Sequence, residues 1–148
     1  MSDYINGRIK VGENYIEFGE NLDNVLNKLG EYKLLKPIEQ GRFILQGVKH
    51  FEFMGIHAIA TLTFRKDNND TVLISALIKP FYSAYEKDYN DKSIIDDECE
   101  KIIRSKIQNL IFKEGPNFWI VKNQSYSIWC NKDDIGLSIT YRVNENRK

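Results

Sequence analysis

The strongest constraint on the fold is a pair of β-prone segments joined by an Asn/Asp turn. His57–Phe64 and Val72–Ile78 are rich in β-branched and apolar residues, and Asp67-Asn68-Asn69-Asp70 stands between them. Asn and Asp tolerate the backbone geometry of a tight turn, so this pattern predicts an antiparallel hairpin. Both faces of both segments carry apolar residues. We therefore expect the hairpin to lie in the middle of a sheet.

Further strands are predicted on both sides of this hairpin. An N-terminal pair flanks Gly12-Glu13-Asn14, two short strands surround Gly47, and the last third of the chain predicts a three-stranded meander. The final strand alternates apolar and polar residues, as in a sheet with one solvated face. The additional predicted strands are Arg8–Val11, Tyr15–Phe18, Tyr32–Leu35, Arg42–Leu45, Val48–Phe53, Asn117–Lys122, Ser125–Cys130 and Leu137–Val143.

Two segments have helical periodicity. The first begins after Asn21, a suitable N-cap, and ends at Gly30. The second spans Asp97–Lys113, with Asp97 as N-cap, and stops at Gly115-Pro116. Residues 81–96 show neither period and predict a long surface connection. The apolar stripes are Leu22, Val25, Leu26 and Leu29 in the first helix, and Cys99, Ile102, Ile103, Ile107, Leu110 and Ile111 in the second.

The element order ββ-α-ββββ-α-βββ predicts the fold class. We expect a single α+β domain over residues 1–148, in which two helices pack on one face of a curved antiparallel sheet. A chain of 148 residues that is 42% hydrophobic is long enough to bury such a core and too apolar for disorder.

Composition also excludes several classes of protein. The longest apolar stretches are too short to span a bilayer and no signal peptide is visible, so we expect a cytoplasmic protein without membrane contact. The 21 basic residues balance the 21 acidic residues, and this zero net charge predicts no direct binding of nucleic acid. Cys99 and Cys130 match no C-x-x-C motif and predict reduced, buried thiols.

The sequence contains no recognisable catalytic motif. It lacks the G-x-S-x-G elbow, the phosphate-binding loop and the G-x-G-x-x-G fingerprint. His50 and His57 are the only histidines, and no further ligands stand at zinc-site spacing. We expect both histidines to be structural or exposed and the chain to be no enzyme, with neither metal nor cofactor. A metal ligand or a general base is the alternative role for either histidine.

The densest run of carboxylates is Asp96-Asp97-Glu98-Cys99-Glu100. Acidic residues at a helix start are favoured by the positive end of the helix dipole, and we expect this role for the run. Consecutive helical positions point in different directions, which disfavours the alternative of a shared divalent cation. Binding of a partner is the third interpretation.

The zero net charge hides an uneven distribution along the chain. Residues 81–100 hold seven acids against two lysines, and residues 101–148 hold nine bases against four acids. The acidic segment also contains Tyr82, Tyr85 and Tyr89, and tyrosine is favoured at interface hot spots. Two interpretations remain open: a surface that binds a basic partner, or a solvated loop whose aromatic side chains fold back onto the sheet.

This combination of a small α+β unit and an acidic, aromatic loop resembles the immunity proteins of bacterial contact-dependent growth inhibition and related polymorphic toxin systems. The segment from Leu22 to Gly30, with the strands around Phe53-Met54-Gly55-Ile56, is also similar to the helix-then-sheet units of β-lactamase-inhibitor-like folds. The first resemblance implies a protein that binds and neutralises a cognate toxin domain, with a basic nuclease-type toxin as the expected partner. The expected contact residues are Tyr82, Tyr85, Glu86, Asp88, Tyr89, Asp91, Asp96, Asp97 and Glu98.

Two other functions stay open at this stage. One is a different interaction module, such as a secretion chaperone or a subunit of a larger assembly. The other is a small hydrolase that uses His50 or His57.

Overall fold

The chain folds around one antiparallel sheet in a computed structural model, which describes residues 5–29, 35–37, 41–85 and 92–144. These residues form ten strands, two α-helices and two 3₁₀ turns, at Tyr82–Ala84 and Gln108–Leu110. The helices are α1 (Leu22–Leu29) and α2 (Lys92–Ile107). The strands are β1 (Arg8–Val11), β2 (Asn14–Glu17), β3 (Leu35–Pro37), β4 (Arg42–Phe53), β5 (Ile56–Asp67), β6 (Asp70–Pro80), β7 (Ile111–Gly115), β8 (Phe118–Lys122), β9 (Tyr126–Asp133) and β10 (Gly136–Val143).

The predicted central hairpin is confirmed. Across the sheet the strand order is β2-β1-β4-β5-β6-β10-β9-β8-β7, and β3 pairs with β4 off this path. The β5–β6 hairpin therefore has a neighbouring strand on each side. Its register runs from Ala58 opposite Pro80 to Asp67 opposite Asp70, and Asn68 adopts a left-handed φ of 56° in the turn. Asn is one of the residues that tolerates this conformation.

The predicted break between the strands Arg42–Leu45 and Val48–Phe53 is wrong. The two segments form one continuous strand, β4, because two register shifts keep it paired with β5 across the region of Gly47. Such bulges insert an extra residue without ending the strand. The segment predicted as Tyr32–Leu35 lies outside the described residues except for Leu35, which opens β3.

The second helix is shifted relative to the prediction. It begins at Lys92 instead of Asp97. The additional helical turn before Asp97 is stabilised by tertiary packing, because it buries Ile95 and Asp96. It ends at Ile107, and Ile111–Gly115 forms β7, paired with β8, so the meander has a fourth strand. Asp97 therefore lies inside α2. Its predicted N-cap role, and the helix-start role of the acidic run, are wrong.

One hydrophobic core unites the sheet and both helices. Val25 of α1 and Ile103 of α2 are fully buried with the inward-facing strand residues, and the α+β class is confirmed. The two cysteines are free and buried as predicted, and burial raises the pKa of both thiols. Within the described residues, no helix is long and apolar enough to cross a membrane.

The N-terminal segment is tied to the last strand. The backbone N–H of Gly7 donates a 2.8 Å hydrogen bond to the hydroxyl of Tyr141, which is fully buried. Phe18 meets the same ring edge-on, with 4.9 Å between centroids. Because Gly7 and Tyr141 are 134 residues apart, this contact closes the two ends of the fold on one another.

Candidate functional site

The predicted contact residues are only partly described by the structure. Tyr82, Tyr85, Asp96, Asp97 and Glu98 are described. The other four predicted residues lie outside the described part of the chain: Glu86, Asp88, Tyr89 and Asp91.

Tyr82 and Asp96 form a pair beneath the surface. The Tyr82 hydroxyl donates a 2.7 Å hydrogen bond to Oδ1 of Asp96, whose residue is only 4% exposed. Burial, followed by the adjacent carboxylate, raises the pKa of Tyr82, so the hydroxyl remains a donor. The ammonium of Lys92 lies 5.0 Å from the centre of the Tyr82 ring. The Asp96 carboxylate therefore accepts a hydrogen bond from inside the protein. Its burial favours a role in positioning α2 over direct contact with a binding partner.

Tyr85 folds back onto the sheet. Its hydroxyl accepts a 2.7 Å hydrogen bond from the backbone N–H of His57, and its half-buried ring packs against the core. The rings of Tyr85 and His57 lie 5.7 Å apart. Of the two interpretations left open for the tyrosines, inward packing describes both Tyr82 and Tyr85.

Asp97 and Glu98 are the predicted acids that reach solvent. Asp97 is exposed on the second turn of α2 and forms an ion pair with Lys132 of β9. Glu98 lies 3.8 Å from the ammonium of Lys101, one turn further along α2. Pairs this exposed contribute little to stability, about 0–1 kcal/mol, so both carboxylates remain available to a partner.

The β9–β10 turn lies against the same end of α2. An added Cβ at Gly136 would lie 3.1 Å from the Tyr82 hydroxyl and 3.2 Å from Oδ2 of Asp96. Oδ1 of Asp133 accepts the backbone N–H groups of Ile135 and Gly136, which fixes the turn. The tertiary structure thus adds a second acidic segment beside the first.

We define the acidic end as the surface that α2 and this turn form together. It combines exposed carboxylates with Ile135, which is 84% exposed, and Ile94, which precedes Asp97 by one helical turn. Sequence reasoning missed the turn residues, although an isoleucine directly after two aspartates at a turn is an available signal. The members of the acidic end are Ile94, Asp97, Glu98, Asp133, Asp134 and Ile135.

The structure describes the side chain of one of the two histidines, His57. His57 is exposed and lies directly opposite Glu52 in the β4–β5 register. The side chain of His50 lies outside the described part of the structure. Among the described residues, no group of three or more His, Cys, Asp or Glu side chains could hold a metal ion.

A groove of about 330 Å³ lies beside Glu52. Arg8, Lys10 and Lys106 line it with positive charge, and Arg8 also pairs with Glu17 at 3.4 Å. Although Glu52 faces this groove, His57 is not among the lining residues. Among the described lining residues, the groove therefore has one carboxylate, that of Glu52, and no imidazole that could act with it as a general base.

Comparison with known proteins gave no relatives. Neither the protein-family models, nor the curated proteins, nor the solved structures contain a match to this chain.

Proposed function

We propose that this chain is an immunity protein that binds and neutralises a cognate bacterial toxin domain in the cytoplasm. The observation that carries the proposal is the acidic end, where carboxylates of α2 and of the β9–β10 turn lie at the same end of the fold as the exposed side chain of Ile135. Protein interfaces combine an apolar centre with a polar rim. A basic nuclease-type toxin would be steered to this surface and would approach it faster.

The predicted contact residues divide into two roles under this proposal. Asp97 and Glu98 face the partner, and Tyr82 and Asp96 hold α2 and the β9–β10 turn in place. Asp134 and Ile135 join the contact set. Glu86, Asp88, Tyr89 and Asp91 extend the acidic segment by sequence, because they precede Lys92, the first residue of α2.

The test is co-expression with a candidate toxin domain taken from a neighbouring reading frame of the source genome. Cells that produce both proteins should grow, and the purified proteins should form a complex of one toxin and one immunity protein. The double variant Asp97→Lys/Asp134→Lys should lower the association rate at low salt, because it reverses charge at the proposed contact. Failure to form a complex, or growth arrest despite co-expression, would contradict the proposal.

A matched control separates the acidic end from net charge. The variant Glu13→Lys/Asp70→Lys changes the charge equally, at an exposed residue of the β1–β2 turn and at the exposed first residue of β6. It should associate with the toxin like the wild type. If the two double variants slow association equally, the acidic end is not the contact surface.

One observation keeps the hydrolase alternative testable. Glu52 and His57 are direct cross-strand neighbours, and a carboxylate beside an imidazole is a frequent acid–base pair. Replacing both His50 and His57 by Ala should leave toxin neutralisation intact if the chain is an immunity protein. A secretion chaperone would instead form a homodimer that holds an unfolded client, which size measurement with and without the partner distinguishes.

A further inference from the structure

The outward face of the sheet, opposite the core, contains three rows of cross-strand neighbours on β5, β6, β10, β9 and β8. We define the basic face as these rows together with Phe112 and Lys113 of the edge strand β7. The middle row is Thr61, Leu77, Thr140, Trp129 and Ile120, and each residue lies opposite the next. The flanking rows are Thr63, Ser75, Arg142, Ser127 and Lys122 on one side, and Ile59, Lys79, Ser138, Asn131 and Phe118 on the other.

The charged residues that define the basic face are all basic. Lys79, Lys113, Lys122 and Arg142 are exposed. Acidic residues of the same sheet face border it: Asp133 follows Asn131 by two positions on β9, and Glu52 lies opposite His57. The zero net charge of the chain therefore coexists with a local excess of positive charge on these rows. The sequence-based argument against nucleic-acid binding assumed that the charges were mixed, and on this face they are separated.

Two exposed aromatic rings lie among these basic residues. Trp129 is 47% exposed and Phe112 is 62% exposed. The ammonium of Lys122 lies 4.4 Å from the centre of the Phe112 ring, which places that ring on the outward side. β7 and β9 are separated only by β8, so the two rings stand on strands roughly 10 Å apart. A contiguous apolar patch with a polar rim is typical of an interaction site, and Trp129, Phe112 and the exposed Leu77 lie on this one face.

We propose that the basic face binds single-stranded nucleic acid, an activity that goes beyond the proposed toxin binding and uses another surface. Bases stack on Trp129 and Phe112, and the four cations Lys79, Lys113, Lys122 and Arg142 contact the phosphates. The partly exposed hydroxyl groups of the rows, which are those of Thr61, Thr63, Ser75, Ser138 and Thr140, offer hydrogen bonds to the base edges, whereas Ser127 is buried.

The chemistry of the face favours this occupant over others. An acidic protein would use the cations and leave the two rings without a matching planar partner. An anionic membrane would favour more aliphatic side chains than the Ser, Thr and Asn that fill the rows. Duplex DNA keeps its bases stacked inside the helix, so the rings could not reach them.

The first experiment titrates the full chain into fluorescently labelled oligothymidylate and oligouridylate of about 16 nucleotides, the upper end of common single-strand site sizes. We expect saturable binding. Neutralisation of about four phosphates gives a slope of about −2.8 in log affinity against log salt, and therefore a roughly 50-fold loss between about 50 and 200 mM salt.

Variants then separate stacking from charge. Trp129→Ala should weaken binding at least about fivefold, since loss of one stacked base costs about 1–3 kcal/mol. Trp129→Phe keeps an aromatic ring and should retain most of the affinity. The comparison of the two variants distinguishes loss of stacking from a folding defect. Tyr15→Ala removes an exposed ring on β2, remote from this face in the strand order, and should have no effect.

Charge is tested with a second matched pair. Lys79→Glu/Arg142→Glu should weaken binding and reduce the salt slope by about 1.4, the share of two phosphates. Lys66→Glu/Lys101→Glu makes the same charge change on a strand end and on α2, outside the basic face, and should leave the slope unchanged.

Three results would overturn the proposal: no saturable binding to either oligonucleotide, equal effects of the two double charge variants, or no effect of Trp129→Ala. Tighter binding of a DNA duplex, of polyglutamate or of phosphatidylglycerol vesicles would also overturn it, and would identify the competing occupant. Toxin binding is read out separately with Asp97→Lys/Asp134→Lys, so either proposal can fail alone.

Discussion

The hydroxyl of Tyr82 donates a 2.7 Å hydrogen bond to the carboxylate of Asp96, and this bond joins two segments that border the acidic end. Tyr82 belongs to the 3₁₀ turn after β6, and Asp96 belongs to the second turn of α2. The backbone of Gly136, in the β9–β10 turn, lies against both groups. The position of the exposed acids therefore depends on a buried polar contact.

Removal of the Tyr82 hydroxyl should destabilise the domain. Tyr82→Phe leaves the buried Asp96 carboxylate without this donor, and an unsatisfied buried group costs about 1–3 kcal/mol. Urea unfolding followed by circular dichroism measures the difference. Tyr15→Phe changes an exposed tyrosine and should stay within about 0.5 kcal/mol of the wild type. Equal stabilities for the two variants would show that the Tyr82–Asp96 bond contributes nothing.

Gly136 should tolerate alanine poorly. Its φ of +130° is a conformation that L side chains rarely adopt, and an added Cβ would lie 3.1 Å from the Tyr82 hydroxyl. Strain of this kind costs about 1–3 kcal/mol. Gly12→Ala is the matched control, because Gly12 has a φ of +60° and open space around an added Cβ. Thermal unfolding should show a larger loss for Gly136→Ala, and the opposite order would contradict this account.

Stability should fall above pH 10. Burial raises the pKa of Tyr141 from 10.0 to about 12, so between these values the unfolded chain releases a proton that the folded chain retains. The free energy of unfolding then decreases with rising pH, by at most about 1.4 kcal/mol per pH unit from this group. The stability that Tyr141 contributes through this pKa difference is fully present below pH 10 and is lost as the pH rises toward 12.

Tyr141→Phe isolates this effect. The variant loses the hydrogen bond from Gly7 and should be less stable than the wild type at neutral pH, by about 1–3 kcal/mol. Because it cannot ionise at this position, its stability should decline less steeply above pH 10. Urea unfolding across this range measures both slopes. Parallel slopes would mean that Tyr141 does not contribute to the alkaline loss.

The two thiols should be inert in the folded protein. Cys99 and Cys130 are free and buried, and burial raises both pKa values, which lowers the thiolate fraction that reacts. Labelling with an aromatic disulfide reagent should be slow in buffer and rapid in concentrated urea. The rate of thiol labelling in buffer should also increase in Tyr82→Phe, because the destabilised variant more often populates opened forms that expose the cysteines. Rapid labelling of the native protein would contradict the burial of these residues.

Local periodicity predicted most of the elements because strands and helices impose different spacings on apolar residues. The Asn/Asp turn identified the β5–β6 hairpin, and the alternation of Leu137–Val143 correctly assigned Leu137, Ile139 and Tyr141 to the buried face. The boundaries of α2 were wrong, since helical spacing continues through Leu110 and Ile111. Pairing with β8 makes Ile111 the first residue of a strand, and this long-range contact leaves no local signal.

The candidate surfaces were less accessible to sequence reasoning. The charge imbalance between residues 81–100 and 101–148 was visible along the chain, and in the structure Asp97 is exposed and Glu98 is partly exposed. The inward packing of Tyr82 and Tyr85 was not visible, because an aromatic side chain in a polar loop can point either way. The contribution of Asp134 and Ile135 required the placement of the β9–β10 turn beside α2.

The sequence by itself determined the class of the fold and the position of most strands along the chain, because apolar spacing and turn residues act within a few positions of one another. Only the tertiary structure decided where the charges meet. The pairing of β6, β10, β9 and β8 collects Lys79, Arg142 and Lys122 on the outward face. The packing of Gly136 against Tyr82 and Asp96 brings the acids of α2 and of the β9–β10 turn together. A net charge counts residues, whereas a binding surface depends on which of them the folded backbone places side by side.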